Sequence, residues 1–282
     1  MQAIRTAGQK QLSTHLSAMA TTLVRFLFAV PLVWIYVYAV SSIQSLSLPM
    51  VSEEFFRSSI FASLSQIIAT ALMIMAFRYK NFAVATSLAK TEAVLTALLS
   101  VVIFDAILSS FGWLSVIVGV IGVLILSKTD VGYRSIIKSP ASLYGVGAGL
   151  FFALATLWIR QASLSLNTNL MLSAAFTLAF MVSLQTFLVS LYLIWKDQSQ
   201  FLLIFKNWKM ASFVGATSML GSVGWFTAAS YQDAAYVKAL GQIEFFFTLF
   251  ITHRFFKEKI SIKEYLGMIL ILLSVLILLL LA

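Results

Sequence analysis

The sequence predicts an all-α integral membrane protein built from two inverted five-helix repeats, and three observations support this prediction. The chain has 282 residues, of which 61% are hydrophobic and only 10% are charged. Its mean hydropathy of +0.97 is far above that of an ordinary soluble domain. Residues 61–126 also align without a gap on residues 213–278, at an offset of 152. A duplicated, strongly apolar chain therefore places its functional groups within or beside a bilayer.

Nine apolar segments are long enough to cross a membrane, since a spanning helix needs about 20 residues. They lie at about 18 to 40, 59 to 78, 81 to 104, 111 to 127, 141 to 160, 168 to 195, 208 to 230, 233 to 253 and 262 to 281. The duplication implies a tenth helix at the N-terminus, because residues 10–11 align with residues 160–161. The first copy has no counterpart to residues 144–150, which begin the first helix of the second copy. We therefore expect a ten-helix bundle whose first helix is truncated.

Each repeat is expected to hold five helices: residues 1–127 form the first repeat, 128–140 a basic connecting loop and 141–282 the second repeat. Because five is odd, the two repeats insert into the membrane with opposite orientations. The loop DAILSSFG after Phe104 has no Lys or Arg, whereas its equivalent KEKISIKE after Phe256 has three Lys. Assigned to faces, the loop cations number 13 on one side and two on the other. This asymmetry predicts that the first side is cytoplasmic.

The net charge of +9 would suggest a nucleic-acid partner in a soluble protein. Here the cations lie mostly in short loops, so we attribute them to the positive-inside rule and expect no nucleic acid. The chain has no cysteine, and its two histidines, His15 and His253, are far apart. The sequence therefore offers no metal site and predicts no cofactor.

The inverted repeats, together with the motifs EKIS at 258–261 and YLG at 265–267, resemble the EamA-type members of the drug/metabolite transporter superfamily. The resemblance covers nearly the whole chain. It implies a multi-pass protein of the cell (inner) membrane that transports small metabolites, often amino acids or their relatives, through a central cavity. A lipid flippase of the same fold stays open as the alternative, and so does a homodimer. An intramembrane enzyme is disfavoured, because no HExxH, GxSxG or paired buried Asp is present.

Five ionisable side chains fall inside apolar segments, where a charge costs about 2.5–3.5 kcal/mol on insertion scales. They are Arg25, Lys90, Glu92, Lys238 and Glu244. The two glutamates occupy equivalent positions in the two repeats. A carboxylate in an apolar medium can exchange a proton near neutral pH, as proton-driven antiport requires. We therefore predict Glu92 and Glu244 as the substrate or coupling site of an exporter; the alternative is that they only hold the two halves in register.

The partners of these groups are expected on other helices. Lys90 and Glu92 are two residues apart, about 200° around a continuous helix, so they cannot simply pair with each other. A contact of Lys90 with Glu244 across the repeats is the specific hypothesis. Glu92 shares a helix face with Thr96, and Glu244 shares the matching face with Thr248 and Thr252, which makes a polar stripe in each copy. Lys238 and Gln242 form a second polar stripe at i, i+4. Counting the five groups as ionised leaves one excess positive charge, which favours a substrate bearing a carboxylate.

Other candidates are less specific. Trp158, Trp225 and Tyr236 either line a pocket for an apolar substrate group or pack against other helices. Gln66 and Gln185 are single polar groups within spans, and each is a cavity candidate.

Helix breakers and small residues complete the pattern. Pro31 can open the first complete span and expose backbone carbonyls. Small residues let helices approach closely in a bilayer. Close packing is therefore expected at Gly145, Gly147, Gly149, Gly215, Gly221 and Gly224.

Overall fold

The computed structural model describes residues 2–79, 82–92, 94–96, 98–99, 109–127, 140–231 and 244–281. Within those ranges the regular structure is helical and no strand occurs, which confirms the all-α prediction. The helices are α1 (Gln2–Leu12), α2 (Ala18–Leu27), α3 (Val30–Gln44), α4 (Glu53–Ala76), α5 (Phe82–Ala89), α6 (Ser110–Ser127), α7 (Pro140–Leu164), α8 (Leu170–Lys196), α9 (Ser199–Lys206), α10 (Trp208–Tyr231), α11 (Glu244–Arg254) and α12 (Ile262–Leu280).

Four helical segments of the described chain are long and apolar enough to cross a bilayer. They are Ala18–Gln44, Glu53–Ala76, Ser142–Leu164 and Leu170–Lys196, and Ser110–Gly122 is a shorter apolar helix. Helices α10 and α12 also lie on the predicted spans 208 to 230 and 262 to 281. Most of the predicted connecting loop, and the first part of the predicted span 233 to 253, lie outside the described residues.

The chain divides into two compact units. Unit 1 consists of Met1–Ile67 and Ala155–Ala234, and unit 2 consists of Ile68–Leu154 and Ala235–Ala282. Each unit thus contains a segment from each half of the sequence. The inverted ten-helix repeat remains a prediction.

Unit 1 has a continuous hydrophobic core contributed largely by α2, α3, α8 and α10. Its fully buried members include large side chains, such as Leu23, Met181 and Val214, and small ones, such as Ala20 and Ala179. Helices in a bilayer are held together mainly by close van der Waals packing, because lipid tails are as apolar as leucine. The small residues allow that close approach.

The first complete span is broken at Phe28 and Ala29, which form a turn between α2 and α3. Pro31 lies in the first turn of α3, where a missing N–H breaks no intrahelical bond. On α10, a Cβ at Gly215 would lie 2.4 Å from Phe28 Cβ and 3.0 Å from the Phe28 carbonyl carbon. The helix is thus broken two residues before Pro31, and the absent side chain of Gly215 lets α10 approach the break; the exposure of backbone carbonyls there stays a prediction.

A second break lies in unit 2. Helix α5 ends at Ala89, Lys90 and Thr91 form a turn, and helical structure resumes at Glu92. The Lys90 N–H is shared between the carbonyls of Thr86 and Ser87, both at 3.1 Å, and the Thr91 N–H reaches the Leu88 carbonyl three residues back at 3.3 Å. Shared and shortened bonds of this kind are typical of a helix end. The prediction of one uninterrupted helix over 81 to 104 is therefore wrong at this point. The angle of about 200° between Lys90 and Glu92 assumed that continuity and does not apply.

As at the break between α2 and α3, a glycine of a neighbouring helix packs against the break at Lys90 and Thr91. A Cβ at Gly149 of α7 would lie 2.4 Å from Thr91 Oγ1 and 3.1 Å from both Ala89 O and Glu92 N. One turn earlier, a Cβ at Gly145 would lie 2.6 Å from the Cβ of Leu88. The close packing predicted for Gly145 and Gly149 is confirmed. The same prediction is wrong for Gly224, where a Cβ would meet nothing within 4 Å.

The last helix of the chain is fixed at its N-terminus and along its length. Ser261 caps α12 in a capping box with Glu264, whose carboxylate accepts the Ser261 N–H at 2.8 Å. Farther along, Ser115 on α6 donates to the carbonyl of Ser274 on α12 at 2.8 Å. A Cβ at Gly122 would lie 2.9 Å from the backbone N of Ile271, so α6 and α12 pack backbone to backbone.

The short helix α9 was not predicted from the sequence. Asp197 precedes it, and its carboxylate accepts from the hydroxyl of Ser199 at 2.6 Å and from the amide of Gln200 at 2.8 Å. The amide oxygen of Gln200 accepts the N–H of Ser17 at 3.0 Å, and the Ser17 hydroxyl caps α2. These bonds attach α9 to the start of α2 within unit 1.

Candidate functional site

An ion pair in unit 2 joins two of the residues predicted as functional. The Lys90 Nζ atom donates to Glu244 Oε2 at 2.6 Å, the short distance of a charge-assisted hydrogen bond. The two side chains are 25% and 22% exposed. The specific contact expected across the two halves of the sequence is therefore present.

Helix α5 positions the lysine of this pair. At the start of α5 the Phe82 N–H donates to Glu258 Oε2 at 2.7 Å, and the Phe82 ring contacts that of Phe256 at 5.2 Å. Lys90 follows the last residue of α5, where the carbonyl groups of the final turn carry partial negative charge. A cation is favoured at that position. Because the helix breaks there, Lys90 is not held to the direction that a continuous helix would impose.

The glutamates lie beside threonines, as their spacing predicted. The Thr96 hydroxyl donates to the Glu92 carbonyl at 2.7 Å, and the Thr252 hydroxyl donates to the Thr248 carbonyl at 2.8 Å. Thr248 and Thr252 are buried, and Glu92 is half-buried. These threonine hydroxyls bond within their own helices, so the stripe is compatible with an apolar surrounding.

The Lys90–Glu244 ion pair makes a moderate contribution to the free energy of unfolding. Removing one partner leaves the other charge partly desolvated, and a hydrogen bond to a charged group contributes about 1.5–3 kcal/mol. Fully exposed ion pairs contribute about 0–1 kcal/mol. With about a quarter of each side chain exposed, the contribution of this pair falls between these limits, about 1–2 kcal/mol.

A second polar site lies in unit 1, where a small cavity is lined by Arg25 and Gln66 together with Ser218 and Ser222. The cavity volume is about 10 Å³, room for about one water molecule. Phe26, Ala29, Leu178, Val182 and Met219 form its apolar walls. The structure thus brings together two residues that the sequence analysis had singled out separately.

Gln66 is held by Gln185, the other glutamine predicted as a cavity residue. The Gln185 amide donates to Gln66 Oε1 at 2.9 Å, and Gln185 is fully buried. The two cavity serines were missed in the sequence. They lie at i, i+4 in the apolar helix α10, and that spacing is the signal that could have identified them.

The predicted aromatic residues of the described chain pack within unit 1. The Trp158 ring stacks on Phe61 at 5.2 Å, and both Trp158 and Trp225 pack against the hydrophobic core cluster. Lys238, Gln242 and Tyr236, the remaining predicted site residues, lie outside the described residues. Among the residues that the structure describes, no group of three His, Asp or Glu side chains could hold a metal ion.

Ionisable groups at helix breaks inside apolar segments, in an all-helical multi-pass membrane protein, are typical of membrane transporters. The family model of the EamA-like transporter family matches residues 1–128 and 139–280. The chain belongs to that family, which is part of the drug/metabolite transporter superfamily.

Comparison with solved structures supports the fold. A protein crystal structure that is 12% identical matches with a TM-score of 0.62, covering 98% of this chain and 92% of that chain. At this identity the likeness shows a shared fold alone. No curated protein matches this chain.

Proposed function

We propose that this membrane transporter is a secondary active exporter of small metabolites, amino acids or related organic acids and amines, in the cell (inner) membrane. It works by alternating access with proton exchange, and the Lys90–Glu244 pair is its coupling site. The observation that carries the proposal is this partly exposed 2.6 Å ion pair within apolar helices, at the point where a helix is broken. Broken helices commonly form ion and substrate sites in secondary transporters.

The pair couples proton and substrate by competition. When Glu244 is ionised, its carboxylate binds either the Lys90 ammonium group or the ammonium group of a substrate. Protonation of Glu244 removes the negative charge, so a bound substrate amine is released. Loss of the proton on the other side of the membrane restores the carboxylate and its pair with Lys90. Glu92 is half-buried and lies just after the helix break. We assign it the same coupling role as Glu244.

The experiment uses purified protein in proteoliposomes. A growth screen of overexpressing cells against toxic amino-acid and organic-acid analogues first selects the transported compound. Its radiolabelled form is then followed under an imposed pH gradient of one unit. One proton exchanged per substrate provides about 1.4 kcal/mol, so the wild-type protein should build up to about a tenfold concentration difference.

Glu244→Gln and Glu92→Gln should each abolish the dependence on the pH gradient while leaving the protein folded. Glu53→Gln is the matched control, because Glu53 is an exposed carboxylate in the first turn of α4. Transport that is unchanged in both Glu244→Gln and Glu92→Gln would reject the assignment. Movement of a fluorescent lipid, with no transport of water-soluble compounds, would identify a flippase instead.

A further inference from the structure

Glu258 belongs to the EKIS motif at 258–261, and the proposed coupling site does not include it. Its carboxylate accepts the Phe82 N–H at 2.7 Å, at the start of α5. Lys90 and Glu244 meet at the other end of the same helix. We propose that Glu258 is a positioning residue, which fixes α5 beside α11 and so keeps Lys90 on Glu244. The coupling role of that ion pair rests on the proposed function.

Helix α5 is bonded at both of its ends to α11 or to the turn that follows α11, and all of these residues belong to unit 2. Glu244 is the first residue of α11, and Glu258 lies four residues beyond its last residue, Arg254. The two helices therefore run antiparallel. Helix α5 has eight residues, which is a length of about 12 Å. A helix this short is not stable by itself, so its position depends on such contacts.

The turn after α11 directs the Glu258 carboxylate toward α5. Lys257 has a φ of 52°, in the left-handed region that a residue with a Cβ rarely adopts. The Glu258 N–H then donates back to the Thr252 carbonyl at 3.2 Å and closes the end of α11. An unfavourable backbone conformation is kept where the surrounding structure requires it, often at functional sites. The conformation of Lys257 therefore supports a specific role for the carboxylate that follows it.

Aromatic side chains surround the Phe82 end of this hydrogen bond. Phe82 is fully buried, and its ring contacts those of Phe77 at 5.6 Å and Phe256 at 5.2 Å. An apolar surrounding strengthens a hydrogen bond to a carboxylate. In the first copy of the duplicated sequence, the residue aligned with Glu258 at the offset of 152 is Ala106. The carboxylate is therefore not a shared element of the duplicated sequence.

The test follows the reactivity of the Lys90 amine in the purified full-length protein in detergent. Brief acetylation with acetic anhydride at constant pH, followed by mass spectrometry, gives the labelling rate of Lys90 relative to the exposed Lys209. An amine bound to a carboxylate reacts slowly, so Glu244→Gln should raise this relative rate and calibrates the assay. Glu258→Ala should raise it roughly tenfold, because the loss of one hydrogen bond to a charged group releases α5.

Two conservative variants separate positioning from charge. Glu258→Gln keeps an oxygen that accepts the Phe82 N–H, so the relative rate at Lys90 should stay within about threefold of wild type. Glu258→Asp keeps the charge but is one methylene shorter, and it should behave like Glu258→Ala. If Glu258→Ala does not fold, the contrast between Glu258→Gln and Glu258→Asp decides the question.

The matched control is Lys257→Gly. Glycine adopts a φ of 52° freely, so this variant keeps the turn and removes only a loop cation. The relative labelling rate of Lys90 should not change. A purely structural role of Glu258 would lower the Tm of Glu258→Ala without changing the relative rate at Lys90, and that result overturns the inference.

A wild-type rate at Lys90 in Glu258→Asp, or in Glu244→Gln, also overturns the inference. In proteoliposomes, Glu258→Gln should keep the dependence on the pH gradient; its loss would make Glu258 a coupling carboxylate and overturn the positioning role. Acetylation in detergent needs no transport. Transport that does not depend on the pH gradient, together with the expected rates at Lys90, would reject the proposed function and leave this inference standing. Transport driven by the pH gradient, with rates at Lys90 that ignore Glu258, would do the reverse.

Discussion

The packing of α7 against the broken helix of unit 2 makes a sharp prediction for Gly149→Ala. The new Cβ would lie 2.4 Å from Thr91 Oγ1 and 3.1 Å from two backbone atoms, Ala89 O and Glu92 N. The threonine hydroxyl donates to the Leu88 carbonyl at 2.7 Å, so rotating it away breaks a buried hydrogen bond. Backbone atoms cannot rotate away at all, and α7 must shift.

The expected cost follows from two opposing terms. Overpacking a well-packed site costs about 1–3 kcal/mol, whereas Ala in place of Gly within a helix gains about 1 kcal/mol. Since two of the three close contacts are to backbone, we place the overpacking cost in the upper part of its range, and a net loss of about 1–2 kcal/mol follows. At about 2–4 °C per kcal/mol, the apparent Tm should fall by about 2–8 °C.

The same chain supplies a matched control. Gly224 also lies within a helix, α10, but a Cβ there would meet nothing within 4 Å. Gly224→Ala should therefore leave the apparent Tm unchanged or raise it by up to about 4 °C. Tryptophan fluorescence melts in one detergent would compare the two variants. A Gly149→Ala protein as stable as Gly224→Ala would refute the close packing at the break.

Two further predictions concern helix ends outside the functional sites. Hydrogen bonds, of which the one from the Ser199 side chain has the largest effect, hold the pKa of Asp197 below its ordinary value of 3.8. The ionised Asp197 carboxylate should therefore stabilise the fold fully above about pH 3.8. That stabilisation should be lost as the pH falls through the lower pKa of the folded state. The difference in Tm between wild type and Asp197→Asn should accordingly shrink in melts taken from pH 5 towards pH 3, and a difference that grows would contradict the bonding. Ser261→Ala removes the capping box of α12 and should lower the free energy of unfolding by about 1 kcal/mol, measured by thermal melts. Ser110→Ala is the control, because Ser110 lies at the start of α6 but the cap there is the Ser109 hydroxyl, which accepts the Gly112 N–H.

Hydropathy determined much of the fold in advance. The predicted spans 59 to 78, 141 to 160 and 168 to 195 correspond to α4, α7 and α8, because an apolar run of that length in a bilayer must satisfy its backbone within the helix. The start of α4 at Glu53 and the presence of α9 were not foreseen. Both depend on local caps, such as Asp197, that carry no hydropathy signal.

The candidate sites divide in the same way. The duplication predicted the contact of Lys90 with Glu244, because a two-fold relation between the copies would bring their equivalent helices together. The structure contains this contact. The turn at Lys90 and Thr91 could not be foreseen, since neither residue is Gly or Pro. Gly149 on a distant part of the chain makes room for that turn.

The sequence by itself determined that this protein is an all-helical membrane protein, because composition and span length are properties of local segments. Its motifs placed it in a transporter family. Tertiary structure alone decided that Arg25 and Gln66 share one cavity with Ser218, and that a Gln185 amide orients Gln66. The reason is physical. Which polar groups meet depends on the rotation and register of each helix, and in an apolar chain these are set by the packing of small side chains from different helices rather than by any single segment.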